Sequence, residues 1–173
     1  MRVAGLDSSG NLEYIGMVVG EAHLIKRVHR RLLRKYGKLH GRELTSDRRK
    51  ALVVEVLLCE LEFYCLRVGY REVLGRARAA LGRAPGRRLR RALDRAIAAV
   101  LLELLNSAGV DRIEADVELE PVLSSVGVRV RKGRASELAD SVARANYMGL
   151  KVPKLREQDV REDLLESLIR VVK

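Results

Sequence analysis

Aromatic side chains are nearly missing from this chain of 173 residues, which has five tyrosines, one phenylalanine and no tryptophan. A core must then be built from Leu, Val, Ile and Ala, and the scarcity argues against an extended aromatic platform for stacking bases. Cysteine is equally scarce. Cys59 and Cys65 are too few for a disulfide scaffold, lack zinc-pair spacing and sit among apolar neighbours, which reads as two buried, inert thiols. No apolar run reaches the length of a membrane span, no lipidation signal is present, and the first residues lack the charged-then-apolar order of a secretion signal. The expectation is a cytoplasmic protein without a membrane partner. Acidic residues are outnumbered, 23 against 34 Lys and Arg, for a net charge of +11. Such an excess favours a polyanion, and nucleic acid before a membrane surface, through counterion release and electrostatic steering. Asn and Gln are few and charged residues make up 33% of the chain, a composition that hints at a thermophile's surface.

What is present has the size of one domain and reads as α/β. Two apolar runs, residues 2–20, form a β-hairpin across the Ser9-Gly10 turn. A helix follows from about Glu21 to Tyr36, with Ala22, Ile25, Val28, Leu32 and Leu33 on one side, Lys26, Arg27, Arg30, Arg31 and Arg34 on the other, and Gly37 as its stop. Ser46 is a plausible N-cap for a second helix to about Leu58. Leu61–Val68 reads as a strand. Residues 71–106 read as two helices broken at 82–86, an arginine-rich insertion. Asp111–Leu119 alternates as a strand, with Glu114, Asp116 and Glu118 on one face, and Val126–Val130 is a further short strand. A helix from about Ala135 to Tyr147 and a last one from about Arg156 to Val172 complete a three-layered arrangement around a single sheet.

The most informative local feature is Gly5-Leu6-Asp7-Ser8-Ser9-Gly10, an apolar strand that delivers a carboxylate onto a turn. Glu43, Asp116 and Asp140 are the later acids that could return to it. Several carboxylates converging from distant parts of a basic chain suit Mg²⁺ or Mn²⁺, which prefer hard oxygen ligands, and a pair of such ions can activate water and stabilise a leaving oxygen in phosphodiester cleavage. His40, three residues before Glu43, is placed to orient water or carry a proton. The arginines around the break, Arg76, Arg83, Arg87, Arg88, Arg90 and Arg91, suit phosphate oxygens through paired hydrogen bonds, because acids there are few (Glu72 and Asp94).

With Lys38-Leu39-His40-Gly41-Arg42-Glu43-Leu44 and Glu137-Leu138-Ala139-Asp140-Ser141-Val142-Ala143, that first strand resembles the ribonuclease H-like superfamily, and most of all its archaeal nuclease-like members. The resemblance implies a central mixed sheet flanked by helices, with an active site where the first strand meets the Asp116 segment. It implies Asp7 as central metal ligand, Glu43 as second acid and Asp140 on a late helix as the last. Asp116 is the choice for the third acid, with Asp111 and Glu114 as rivals. Glu43 precedes a helix, whereas the familiar ribonuclease H carries its second acid inside one, so recognition of RNA–DNA hybrids does not carry over.

Each acid also has a plain reading. Asp7 could close an Asx-turn, Glu43 could favour a helix N-terminus, Asp116 could face solvent, and Asp140 lies one turn from Arg144. The expected function is a metal-dependent nuclease acting on DNA or RNA. The alternative is a nucleic-acid-binding protein that keeps the fold without catalysis, with its acids dispersed or paired with arginines. A fainter likeness of residues 6–10 to the phosphate loop of actin-like and sugar-kinase ATPases would need a second domain to complete the cleft. A dimer through the last helix is left open.

Overall fold

Leu, Ile, Val, Met and Ala alternate through the first twenty residues, and in the computed structural model, which describes residues 1–40, 43–82 and 86–172, they form an antiparallel pair. Strand β1 (Arg2–Ser9) pairs with β2 (Tyr14–Glu21) in full register from Arg2↔Glu21 to Ser9↔Tyr14. The turn between them runs through Gly10, Asn11 and Leu12, all at positive φ (62°, 55° and 64°).

Helix α1 (Ala22–Tyr36) follows β2 and stops at Gly37, whose φ of 73° and N–H bond to Leu33 form a left-handed cap. Next come α2 (Ser46–Leu57), β3 (Glu62–Arg67), α3 (Tyr70–Leu81), α4 (Gly86–Ser107) and β4 (Arg112–Ala115). The chain closes with a 3-10 turn at Val117–Leu119, then α5 (Glu120–Ser124), α6 (Arg134–Tyr147), β5 (Leu155–Asp159) and α7 (Arg161–Val172).

The five strands form one mixed sheet in the order β4-β1-β2-β3-β5. The β1–β2 and β2–β3 pairs are antiparallel, and the β1–β4 and β3–β5 pairs are parallel. Alternate side chains feed two cores. Ala4, Leu6, Ile15, Met17 and Val19 pack under α3, α4, α5 and α7, while Val3, Val18, Phe63 and Cys65 pack under α1, α2 and α6. The protein is thus α/β, with a five-stranded mixed sheet covered by helices on both faces. Among the described residues no helix is long and apolar enough to cross a membrane.

Four expectations about elements need correction. The strand expected over Asp111–Leu119 ends at Ala115, because the Asp116 side chain accepts the Val117 N–H (2.5 Å) and its carbonyl accepts that of Leu119, turning the chain. Val126–Val130 is not a strand; only Arg131 makes an isolated parallel bridge, to Glu114. The last helix begins at Arg161 rather than Arg156, because Leu155–Asp159 pairs with β3; only Leu155 of these five is buried, so the segment has no alternation to read. The N-cap of α2 is Thr45, with Ser46 already helical.

Candidate active site

Asp7 is the last residue but two of β1 and faces the α6 side of the sheet. It lies in a cleft of about 500 Å³ at the end of the strands, which Asp116, Glu118, Asp140, His40, Lys132 and Arg144 also line. Asp116 arrives because β4 runs parallel beside β1, and the Asp116 N–H continues that pairing onto the Leu6 carbonyl (3.1 Å). Asp140 arrives because α6 packs across β1 and β2.

The α6 packing is unusually close, and glycine permits it. A Cβ on Gly5 would fall 1.9 Å from the Ala135 carbonyl carbon, and one on Gly16 would fall 2.3 Å from the Ala143 nitrogen. With Ala135, Ala139 and Ala143 facing these glycines, the helix backbone rests almost on the strands and carries Asp140 to the level of Asp7. The N-terminus of α6 is fixed by the neighbouring strand: the Glu114 carboxylate accepts the Ala135 N–H (2.8 Å). Buried His29 of α1 meets Glu137 (2.5 Å), pinning the helix one turn before Asp140.

Asp7, Asp116 and Asp140 are all buried, at 5%, 9% and 6% exposure. Burial, then the charge of Asp140, then those of Asp116 and Glu118 push the Asp7 carboxyl up to about 8, against the partial relief of the Ser8 N–H bond (2.7 Å). Asp7 is therefore largely protonated at neutral pH. The other acids have protein partners. Arg144 Nε donates to both Asp140 oxygens (3.2 and 3.1 Å), Lys132 Nζ stands 3.5 Å from Asp116, and Ser8 Oγ donates to Glu118 (2.8 Å). Lys132 also meets His40 Nε2 at 3.0 Å. An ammonium has no acceptor, so that ring nitrogen accepts and the imidazole proton sits on Nδ1.

Of the acids singled out in the sequence, Glu43 does not line this cleft. Its side chain is exposed and pairs at 3.8 Å with Lys38, and its N–H bonds the His40 carbonyl (3.1 Å). The rivals for the third acid have other work. Asp111 accepts the Arg2 N–H at the opposite end of the sheet, and Glu114 caps α6. Lys132 and Tyr147 of the cleft had no sequence signal beyond their closeness to the Asp140 helix, and Glu118 stood out only as a neighbour of Asp116 on the expected strand face.

The arginine-rich helices pack on the other face of the sheet. Tyr70 ties α3 to the β1–β2 turn through its N–H to Leu12 O (3.2 Å), and its hydroxyl donates to Asp94 (3.0 Å). Arg2 at the far end of the sheet donates to Ala108 O (3.0 Å). Helix α4 thus runs the length of β1, with its N-terminal half at the end of the sheet that carries Asp7. Arg87, Arg88, Arg90 and Arg91 are exposed there. Arg76 is instead forked onto Glu162 of α7 (2.5 and 3.3 Å), and Arg83 lies outside the described residues.

The cleft's donors are hard carboxylate oxygens, the chemistry Mg²⁺ and Mn²⁺ prefer. Among the described residues no group of three or more His, Cys, Asp or Glu stands close enough to hold a metal ion. That argues against an all-protein cage. A magnesium-type site that uses one or two carboxylates, waters and a substrate phosphate needs less, and the carboxylates that line the cleft include Asp7 and Asp140. No family model, curated protein or solved structure matches this chain.

Proposed function

We propose that the chain is a cytoplasmic, ribonuclease H-like, Mg²⁺- or Mn²⁺-dependent nuclease that hydrolyses phosphodiester bonds of DNA or RNA. The observation that carries this reading is the buried meeting of Asp7, Asp116 and Asp140 at one end of the sheet of a strongly basic protein. It is also the place where the resemblance to the superfamily implies an active site. A carboxyl held protonated by burial and by its acidic neighbours is a site that gains from an added cation.

Asp7 and Asp140 would hold the ion, with Asp116 completing the acidic wall. Bound there, Mg²⁺ or Mn²⁺ supplies Lewis-acid activation of water and neutralises charge on the phosphate. The chain's own groups do the rest. Lys132 and Arg144 keep Asp116 and Asp140 in their rotamers and are within the cleft to meet phosphate oxygens. Once Lys132 turns to a phosphate, His40 Nε2 becomes free to accept the proton of the attacking water as the P–O bond to the leaving sugar oxygen breaks. The exposed arginines at the start of α4 supply sequence-independent contacts to the backbone.

A second reading, a nucleic-acid-binding protein without catalysis, is favoured by one specific observation: Asp116 and Asp140 are already paired with Lys132 and Arg144. One experiment separates the two. End-labelled single- and double-stranded DNA, RNA and hybrid are incubated with Mn²⁺, Mg²⁺ or EDTA, using wild type and Asp7→Asn. The nuclease reading expects metal-dependent products that vanish in the variant. Salt-sensitive binding with no products under any metal would leave the binding protein.

A further inference from the structure

We infer that the outer ridge of α1, centred on Lys26, Arg30 and Arg34, is a track for a nucleic-acid backbone that leads into the cleft. Helix α1 spends its apolar side on the core through Ile25, Val28, Leu32 and Tyr36. The charged residues on its other side are all cations, and the helix contains no acid at all.

An ordinary solvated face would intersperse Glu or Asp at i,i+4 with its lysines and arginines. This one does the reverse. Lys26–Arg30, Arg27–Arg31, Arg30–Arg34 and Arg31–Lys35 are all like-charged i,i+4 pairs, each unfavourable in an isolated helix. Neighbouring acids relieve only the flanks: Glu60 meets Arg27 (3.6 Å) and Glu55 meets Lys35. Arg31 turns to Cys59 Sγ (3.1 Å). Among the described residues Lys26, Arg30 and Arg34 have no ion-pair partner, and they line a shallow groove with His23 and the flanking cations.

The ridge has a direction. Ala22 begins α1 at the end of the sheet opposite Asp7, its N–H on the Met1 carbonyl. The helix then returns toward the cleft, and the segment after Gly37 brings His40 into its lining, with Lys38 exposed two residues before it. Three unpaired cations four residues apart span about 12 Å, the axial length of about four nucleotides of one strand.

A membrane surface fits the ridge poorly. An interfacial helix inserts an apolar face, whereas that of α1 is buried against the sheet, with only Leu33 exposed among its large apolar residues. The inference rests on the proposed function only in taking nucleic acid as the polyanion, and it does not need the cleft to be catalytic.

The test is therefore read in EDTA. Fluorescence anisotropy with labelled 20-nucleotide single-stranded DNA, RNA and duplex is followed from 50 to 200 mM KCl. The ridge variant is Lys26→Gln/Arg30→Gln/Arg34→Gln, and a charge-matched control carries Lys50→Gln/Lys151→Gln/Arg170→Gln. Losing three phosphate contacts lowers the slope of log K against log salt by about 2–2.7, so wild type should lose roughly 15- to 40-fold more affinity across that range than the ridge variant. The control should keep the wild-type slope. The ridge variant removes repulsion within α1 and should fold at least as well as wild type, which far-ultraviolet circular dichroism checks. An unchanged slope in the ridge variant, or an equal fall in the control, overturns the inference. So does ridge-dependent binding to phosphatidylserine vesicles with nucleic-acid binding unaffected. A reduced slope with no cleavage in any metal would uphold the track and defeat the nuclease reading instead.

Discussion

The two faces of the sheet are covered in opposite ways. Under α3, α4, α5 and α7 the interface is filled by large aliphatic side chains: Leu89, Leu93, Ile97 and Leu101 stand over Leu6, Ile15 and Met17, all buried. Under α6 the closest contact has no large side chain in it, since Gly5 and Gly16 meet Ala135, Ala139 and Ala143 backbone to backbone, while Val3, Val18 and Phe63 fill the core that α6 shares with α1 and α2. The first arrangement is what hydrophobic burial alone produces and can adjust by repacking. The second fixes one helix at a set distance from β1 and β2, and Asp140 and Asp7 lie along that contact. Both faces contribute apolar burial, while the position of the chemistry depends on the glycine–alanine contact of one of them.

The sharpest way to break this contrast is Gly5→Val. Its Cβ has no room at 1.9 Å from the Ala135 carbonyl carbon, so α6 must lift off the sheet. A loss of about 4 kcal/mol or more, or no folded protein at all, is expected in urea denaturation. Leu101→Ala, on the other face, should cost about 3 kcal/mol through the cavity it leaves, yet the protein that remains folded should match wild type in any nucleic-acid binding or cleavage. If the two substitutions lowered stability equally and neither altered the cleft, the division of labour between the faces would be wrong.

How much of this could be read from the chain follows the same division. The hairpin, α1, α3, α4 and α6 are legible because each carries its own period and its own stop, such as Gly37 after Tyr36. Asp7 and Asp140 stand out for local reasons, one at a strand end on a Ser-Gly turn and the other on a small-residue helix. Asp116 stands out as part of a strand, whereas it caps the turn that ends one, because an aspartate side chain that accepts the next N–H outweighs the alternation of Ile113, Ala115, Val117 and Leu119. Strand β5 and the place of Lys132 between His40 and Asp116 depend on partners 90 or so residues away, and no local pattern encodes them. Glu43 shows the converse: a motif that looks local and suggestive, with a side chain that ends in solvent.

The smaller expected effects concern the cleft itself. With Asp7 raised to about 8 in the fold against 3.8 when unfolded, the native state holds the extra proton between those values. Stability from this group is therefore full in acid, declines as pH rises from about 4 through about 8, and is level above that. Asp7→Asn should remove this slope and make the metal-free protein more stable than wild type at pH 9 by an order of 1–3 kcal/mol. Mn²⁺ should reverse the comparison. It competes with the proton for Asp7, so it should raise the wild-type midpoint more at pH 8.5 than at pH 6 and leave Asp7→Asn unmoved. Thermal melts at the two pH values, with Mn²⁺ or EDTA, check both statements, and a variant that responds to Mn²⁺ like wild type would remove Asp7 from the proposed ligands.

Glu43→Gln carries the smallest effect, and for that reason it sharpens the boundary of the site. The Glu43 carboxylate is exposed and sits 3.8 Å from an equally exposed Lys38, a pairing that contributes little in water. The substitution should leave the thermal midpoint within about 1 °C and the Mn²⁺-induced shift as in wild type. A lost Mn²⁺ response in Glu43→Gln would mean that Glu43 leaves Lys38 for the cation when one arrives. The resemblance would then have identified the second acid where the resting side chain points elsewhere. An unchanged response would confine the acidic wall to the ends of β1 and β4 and the middle of α6, the three places that the close glycine–alanine contact and the parallel β1–β4 pairing hold together.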